Sequence, residues 1–355
     1  MISLVWSSII QNWLIKMKLR SFVTAVFCCL WAAEAMAVDP GLRYIQARGR
    51  LLCGTNTDAP AYAAKDENGM WKGFDVDMCQ AISIAVFGVP DKYEMVDVRT
   101  DQIAKYLKSG RIDVMMGGSS LAASAEARSK FAPAAILYYD KQVFLARKAQ
   151  GAKSMEDYRF ANVCVVNESN DTNNVEEFSA RYNLGLKIIP FNSELRAKQA
   201  FLLNRCDLMV GNRAYIHGVW NEHFAENPDV KMIPEDVAIK PVYILVDKDN
   251  PKLQATIRWV VNALQMAEMY GMNMKTASIQ IGLKNTSQRN LMGEDPKLWN
   301  SFGIKPKWLK TALSKVGNFG EIYERNFGKY SELKFDRGDN KYLKDGGLLN
   351  PQPFL

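Results

Sequence analysis

The chain has 355 residues, 48% of them apolar and 23% charged, with a formal net charge of +7. That composition excludes wholesale disorder and leaves room for two domains of ordinary size. No run of Lys and Arg interleaves with aromatics, so a nucleic-acid partner is not expected.

The N-terminus reads as an export signal. Lys16, Lys18 and Arg20 precede the apolar run Phe22–Ala33, which is short for a membrane span, and Ala35-Met36-Ala37 supplies a small-x-small cleavage pattern. Cleavage is expected after Ala37. Phe27 before Cys28 argues against a lipid anchor, and Met17-Lys18-Leu19-Arg20 is itself a good start, so translation begins at Met1 or Met17. Loss of residues 1–37 removes Lys16, Lys18, Arg20 and Glu34, lowering the net charge from +7 to +5.

From residue 40 strands alternate with helices, the pattern of an α/β fold with mainly parallel sheet. Residues 50–56 read as strand, 75–87 as helix, 92–98 as strand, 100–109 as helix and 112–116 as strand. In W-K-G-F-D-V-D-M-C-Q-A-I at 71–82, Asp75 and Asp77 are expected to cap the helix that follows Gly73. A second block runs strand 161–166, helix 172–182, strand 186–190, helix 193–204, strand 206–210 and helix 213–221. The extended segments 138–147 and 240–246 bracket that block, so the chain should leave a first lobe and return to it. The expected division is 1–37 signal peptide, 38–143 first lobe, 144–243 second lobe, and 244–355 return to the first lobe with a helical extension. Ile257, Val260, Val261, Leu264 and Ala267 mark an apolar helical stripe in the last part.

Four cysteines remain after cleavage: Cys53, Cys79, Cys164 and Cys206. An even count in an exported chain favours disulfides. Three connectivities are possible, and 53–79 with 164–206, one bridge per lobe, is the economical one. No zinc or redox C-x-x-C spacing occurs, and His217 and His223 do not share a helix face, so neither a metal nor a cofactor is expected. A G-x-S-x-G elbow and a phosphate-cradling loop are also missing from the sequence.

Polar residues gather instead at successive strand ends, where open α/β sheets bind ligands. They are Asp58 and Tyr62, then Ser119, Ser120 and Arg128, then Glu168, Ser169, Asn170 and Thr172, and finally Asn212. Arg128 is suited to grip a carboxylate through two parallel hydrogen bonds.

With R-G-R-L-L-C-G at 48–54, G-R-I-D-V at 110–114, Y-Y-D at 138–140, V-C-V-V at 163–166, R-C-D-L at 205–208 and V-G-N-F-G-E-I-Y-E-R-N-F-G at 316–328, the chain resembles the solute-binding subunits of polar amino-acid ABC transporters. The likeness is greatest to their general L-amino-acid branch. It implies a periplasmic-binding-protein type II fold of two hinged lobes, acting as a monomer in the periplasm. It also implies capture of a free amino acid or derivative and delivery to an ABC permease with its ATPase subunits, without catalysis. By the same resemblance Arg128 grips the ligand carboxylate and Tyr62 covers its side chain. Two departures stand out. Glu168-Ser169-Asn170 replaces a G-T-T type turn, and Asn212 stands where relatives hold the α-ammonium with an aspartate. Both predict a ligand other than a plain α-amino acid, or a modest affinity. A dehydratase-like enzyme, with Glu168 and Asp58 as its acid and base, and a sensor subunit without transport are the competing readings.

Overall fold

The computed structural model describes residues 40–57, 61–117, 127, 130–147, 154–166, 171–233, 235–277 and 285–355. Helix α1 (Pro40–Arg48) leads into β1 (Leu51–Thr55), followed by the small hairpin β2 (Ala64–Lys65) and β3 (Trp71–Lys72). Helix α2 (Phe74–Phe87), β4 (Tyr93–Asp97), α3 (Ile103–Lys108) and β5 (Val114–Met115) complete the first run. The long strand β6 (Phe131–Arg147) crosses to a second α/β unit of β7 (Asn162–Val166), α4 (Asp171–Arg181), β8 (Lys187–Phe191), α5 (Glu194–Leu202), β9 (Leu208–Asn212) and α6 (Arg213–His223). After β10 (Val230–Met232), the chain returns along β11 (Ala238–Asp247) into α7 (Pro251–Met269), then α8 (Thr286–Leu291), α9 (Pro296–Ser301), α10 (Trp308–Lys315) and α11 (Phe319–Asn326).

One continuous sheet runs through the described residues in the order β4-β1-β5-β11-β6-β9-β7-β8, with β10 on β6. β1 pairs parallel with β4 and β5, and β7 pairs parallel with β8 and β9. Only the joins made by β6 and β11 are antiparallel. This is a two-lobed α/β fold whose lobes share a pair of crossing strands. β6 begins at Phe131, seven residues before the segment the sequence marks, because its ladder to β11 starts at the Phe131–Asp247 pair.

Local signals set the helix boundaries. Ser193 accepts from Arg196 N–H at α5, and Asn250 accepts from Leu253 N–H where Pro251 opens α7. A reciprocal Asn318/Glu321 capping box starts α11. At α2 the expected capping does not occur. The cap residue is Gly73, with no side-chain hydrogen bond, and the N–H groups of Phe74 and Asp75 donate to the Ala61 and Tyr62 carbonyls at 3.2 and 2.9 Å. With those donors satisfied, the two carboxylates are free for other work. Asp77 Oδ2 accepts from Arg325 Nη2 and Asn326 Nδ2, each at 2.7 Å, tying α2 to α11. Gly73 itself is dictated by space, since a Cβ there would lie 2.2 Å from the Tyr62 carbonyl oxygen.

Both expected disulfides are present. Cys53–Cys79 joins β1 to α2 with Cα atoms 6.3 Å apart, and Cys164–Cys206 joins β7 to the turn before β9 at 5.7 Å. The C-terminal segment braces the crossing. Asn340 accepts from Tyr139 N–H at 2.7 Å and donates to the Tyr139 carbonyl at 2.8 Å, as a neighbouring strand would. Arg337 Nη1 pairs with Glu268 Oε1 of α7 at 3.0 Å.

Candidate functional site

Strand β6 carries a polar face. Tyr138, Asp140 and Gln142 alternate along it, and side chains two apart on a strand point the same way. Lys240 of β11 lies directly opposite Asp140, and Asn212 at the end of β9 lies opposite Gln142. The two crossing strands and β9 therefore place Asp140, Gln142, Lys240 and Asn212 on one side of the sheet.

Each member has specific partners. Lys240 Nζ donates to Asp171 Oδ1 of α4 at 2.7 Å and to Asn212 Oδ1 at 3.1 Å, and both Lys240 and Asp171 are 7% exposed. Asn174, in the first turn of α4, donates to Gln142 Oε1 at 2.8 Å. From the first lobe, the Tyr62 hydroxyl donates to Asp140 Oδ2 at 2.5 Å. Burial pushes the Asp140 carboxyl upward, opposed by the Tyr62 hydroxyl, the Lys141 N–H and the charges of Lys240 and Arg213. The Tyr62 hydroxyl is held well above its ordinary range by burial and by Asp140.

Tyr62 is packed inside the molecule rather than open to a cleft. Its ring stacks on Tyr138 with centroids 5.8 Å apart and meets Phe327 edge-on at 5.6 Å, with Phe74 completing the group. Beside this cluster Asp75 is buried, with Oδ2 accepting from Thr55 at 2.8 Å and Oδ1 without a partner among the described residues. Burial raises it to about 7.

A cavity of about 820 Å³ opens between the β2–β3 hairpin, α6 and residues 325–333. Lys65, Asp66, Lys198, His217, Glu222 and Arg325 are among its charged and polar lining residues. Burial and the Arg213 charge lower the affinity of His217 for a proton, so it is neutral near pH 7. Arg213 lies over the Phe335 ring at 4.0 Å, and His217 meets the same ring edge-on at 5.6 Å.

Tyr62 and Asn212 thus both reach the crossing strands, one through Asp140 and the other through Lys240. Asp58, Ser119, Ser120, Arg128, Glu168, Ser169 and Asn170 lie outside the described residues. Sequence reasoning missed Asp140, Gln142, Asp171, Arg213 and Lys240. Three consecutive polar residues, D-K-Q, ahead of the apolar V-F-L-A, and a lysine within A-I-K-P-V-Y-I-L-V, were the available signals. Among the described residues no group of three or more His, Cys, Asp or Glu could hold a metal, and no helix is long and apolar enough to cross a membrane.

The profile of the bacterial extracellular solute-binding proteins, family 3, matches residues 51–274. The chain belongs to that family. Among curated relatives, this family-3 protein is 28% identical over 341 residues to the general L-amino acid-binding periplasmic protein AapJ of Rhizobium johnstonii, covering 95% of this chain and 99% of the relative. It is also 28% identical over 324 residues to the glutamate/glutamine/aspartate/asparagine-binding protein BztA of Rhodobacter capsulatus, covering 91% and 94%. Among solved structures, an ABC transporter periplasmic binding protein from Brucella ovis with glutathione bound is similar, with a TM-score of 0.80 and 29% identity. That likeness covers 88% of this chain and 98% of the other. The two-lobed type II periplasmic-binding-protein fold follows.

Proposed function

We propose that this family-3 solute-binding protein is the exported capture subunit of an ABC importer, closing two lobes on an amino acid or amino-acid derivative. The observation that carries this reading is the full-length likeness to AapJ, 95% of this chain and 99% of the relative. Cleavage after Ala37 releases the chain to the periplasm as a monomer. The lobes divide at 38–143, 144–243 and 244–355, with the crossing strands as hinge. The closed form docks on a membrane permease driven by its ATPase subunits, and the protein's own role is binding rather than catalysis. Asp58, Tyr62, Ser119, Ser120, Arg128, Glu168, Ser169, Asn170 and Asn212 are the proposed contacts to ligand. For Tyr62 the contact is indirect, through the Asp140 carboxylate on which its hydroxyl sits.

The glutathione-bound neighbour supports extending the class to amino-acid derivatives and short peptides. The test is a thermal-shift panel of common amino acids, opines, polyamines and glutathione. A ligand at 100 times its Kd should add about 2.7 kcal/mol of stability. A flat response across the whole panel would overturn the reading.

A further inference from the structure

The cluster beneath Asn212 favours one sign of ligand group. Two eleven-residue helices begin there, α4 with Asp171 as its first residue and α6 with Asn212 as its cap. A helix start presents N–H groups without intrahelical acceptors and a partial positive charge. Asn212 makes no side-chain bond to the α6 N–H groups, because its Oδ1 is turned to the Lys240 ammonium at 3.1 Å. The same ammonium holds Asp171 Oδ1 at 2.7 Å. One Asp171 oxygen and the Asn212 amide oxygen, both able to receive a ligand ammonium, are thereby engaged by an ammonium of the protein's own.

Each buried group left unpaired here is able to donate a hydrogen bond. Gln142 is 0% exposed, and its Nε2 has no partner among the described residues. Its place is fixed on both sides, opposite Asn212 in the sheet and bonded through Oε1 to Asn174 of α4, so the unpaired N–H₂ lies between the two helix starts. Thr172 Oγ1 of α4 and Arg213 Nε of α6 are likewise buried and unpaired. A buried donor without an acceptor is costly, and a ligand oxygen relieves that cost. A ligand ammonium would meet the Lys240 charge at short range, with Asp171 Oδ1 and Asn212 Oδ1 already bonded to it.

We propose that the subsite bounded by Gln142, Thr172, Asn212 and Lys240 takes an acceptor oxygen of the ligand, so that the protein selects amino-acid derivatives with an acylated nitrogen over free amino acids. This narrows the ligand class of the solute-capture reading and rests on it. The matched probes are N-acetyl-L-glutamine and L-glutamine, titrated calorimetrically into the exported protein. The acetylated compound should bind about tenfold tighter or more. The double variant Lys240→Met/Asp171→Asn removes the cation with its partner and avoids stranding a buried charge. It should bring the two affinities within about threefold of each other, while Lys240→Arg keeps the preference. Thermal melts of each variant establish folding. Glutamine binding as tightly as its acetylated form, or a ratio unchanged in the double variant, overturns the subsite and leaves solute capture standing. Failure of both probes, with no other amino-acid derivative binding, overturns the two together.

Discussion

Each lobe buries an aspartate at the first turn of a helix, and the two are handled in opposite ways. Asp75 of α2 is 1% exposed, accepts one hydrogen bond from Thr55, and has no cation beside it among its described partners. Asp171 of α4 is 7% exposed and receives Lys240, which arrives from the crossing strand 69 positions later. Burial without a counter-charge favours the neutral acid, and burial with one makes an ion pair. The first lobe can therefore stand on its own chemistry here. The second lobe depends on a residue of a crossing strand, so the packing of α4 is tied to β11.

That dependence is the easiest part of the comparison to break. Lys240→Met leaves the Asp171 carboxylate buried without its cation, and should cost about 3–5 kcal/mol of stability in urea unfolding. Adding Asp171→Asn should recover most of the loss. Equal losses in the single and double variants would mean that the lysine acts through packing alone.

The first lobe sharpens the contrast through pH. Asp75 is raised to about 7 when folded, above its ordinary value of 3.8, so the folded state holds a proton that the unfolded chain gives up. Its contribution to stability is complete below about pH 4, and declines as pH rises through 7. The loss over that window is on the order of 4 kcal/mol at most. Asp75→Asn should flatten this part of the pH–stability profile, measured by urea melts between pH 4 and 8. An unchanged profile would mean that Asp75 stays ionised.

The disulfides should distinguish the lobes far less. Their sequence separations are 26 for Cys53–Cys79 and 42 for Cys164–Cys206. By the chain-entropy estimate these are worth about 3.6 and 4.0 kcal/mol, a difference of only about 0.4. Paired Cys→Ala variants, melted side by side, should lose nearly equal stability. A gap of several kcal/mol would show that one lobe tolerates an open chain and the other does not.

What the sequence made legible follows how local each signal is. Strands and helices repeat their apolar spacing within a few residues, and each cysteine pair falls inside one α/β unit, so fold and bridges could be anticipated. The Phe131–Leu137 part of β6 could not, because its Ala- and Pro-containing run is made a strand by pairing with β11 more than a hundred residues away. Asp75 and Asp77 had the right type and place for caps, yet the Ala61 and Tyr62 carbonyls just ahead of the hairpin took the N–H groups first. The Lys240–Asp171–Asn212 set is less visible still. Its three residues come from β11, α4 and β9, and only the folded crossing brings them together.

The smallest expected effect lies where the first lobe touches the crossing strands. The Tyr62 hydroxyl donates to Asp140 Oδ2 at 2.5 Å, while the ring is already held by Tyr138 and Phe327. Tyr62→Phe keeps that ring packing and removes one donor from a buried carboxylate. A hydrogen bond to a charged group is worth about 1.5–3 kcal/mol, and Asp140 keeps its Lys141 N–H bond at 2.8 Å, so the lower end is expected. The loss should also depend on pH. Deleting a donor that favours the carboxylate raises Asp140 further, and protonation then relieves the stranded acceptor. Urea melts should therefore show the variant closest to the parent at low pH and furthest from it at neutral pH. A penalty independent of pH would place the cost in ring packing and sever the link drawn here between Tyr62 and the charge on the crossing strands.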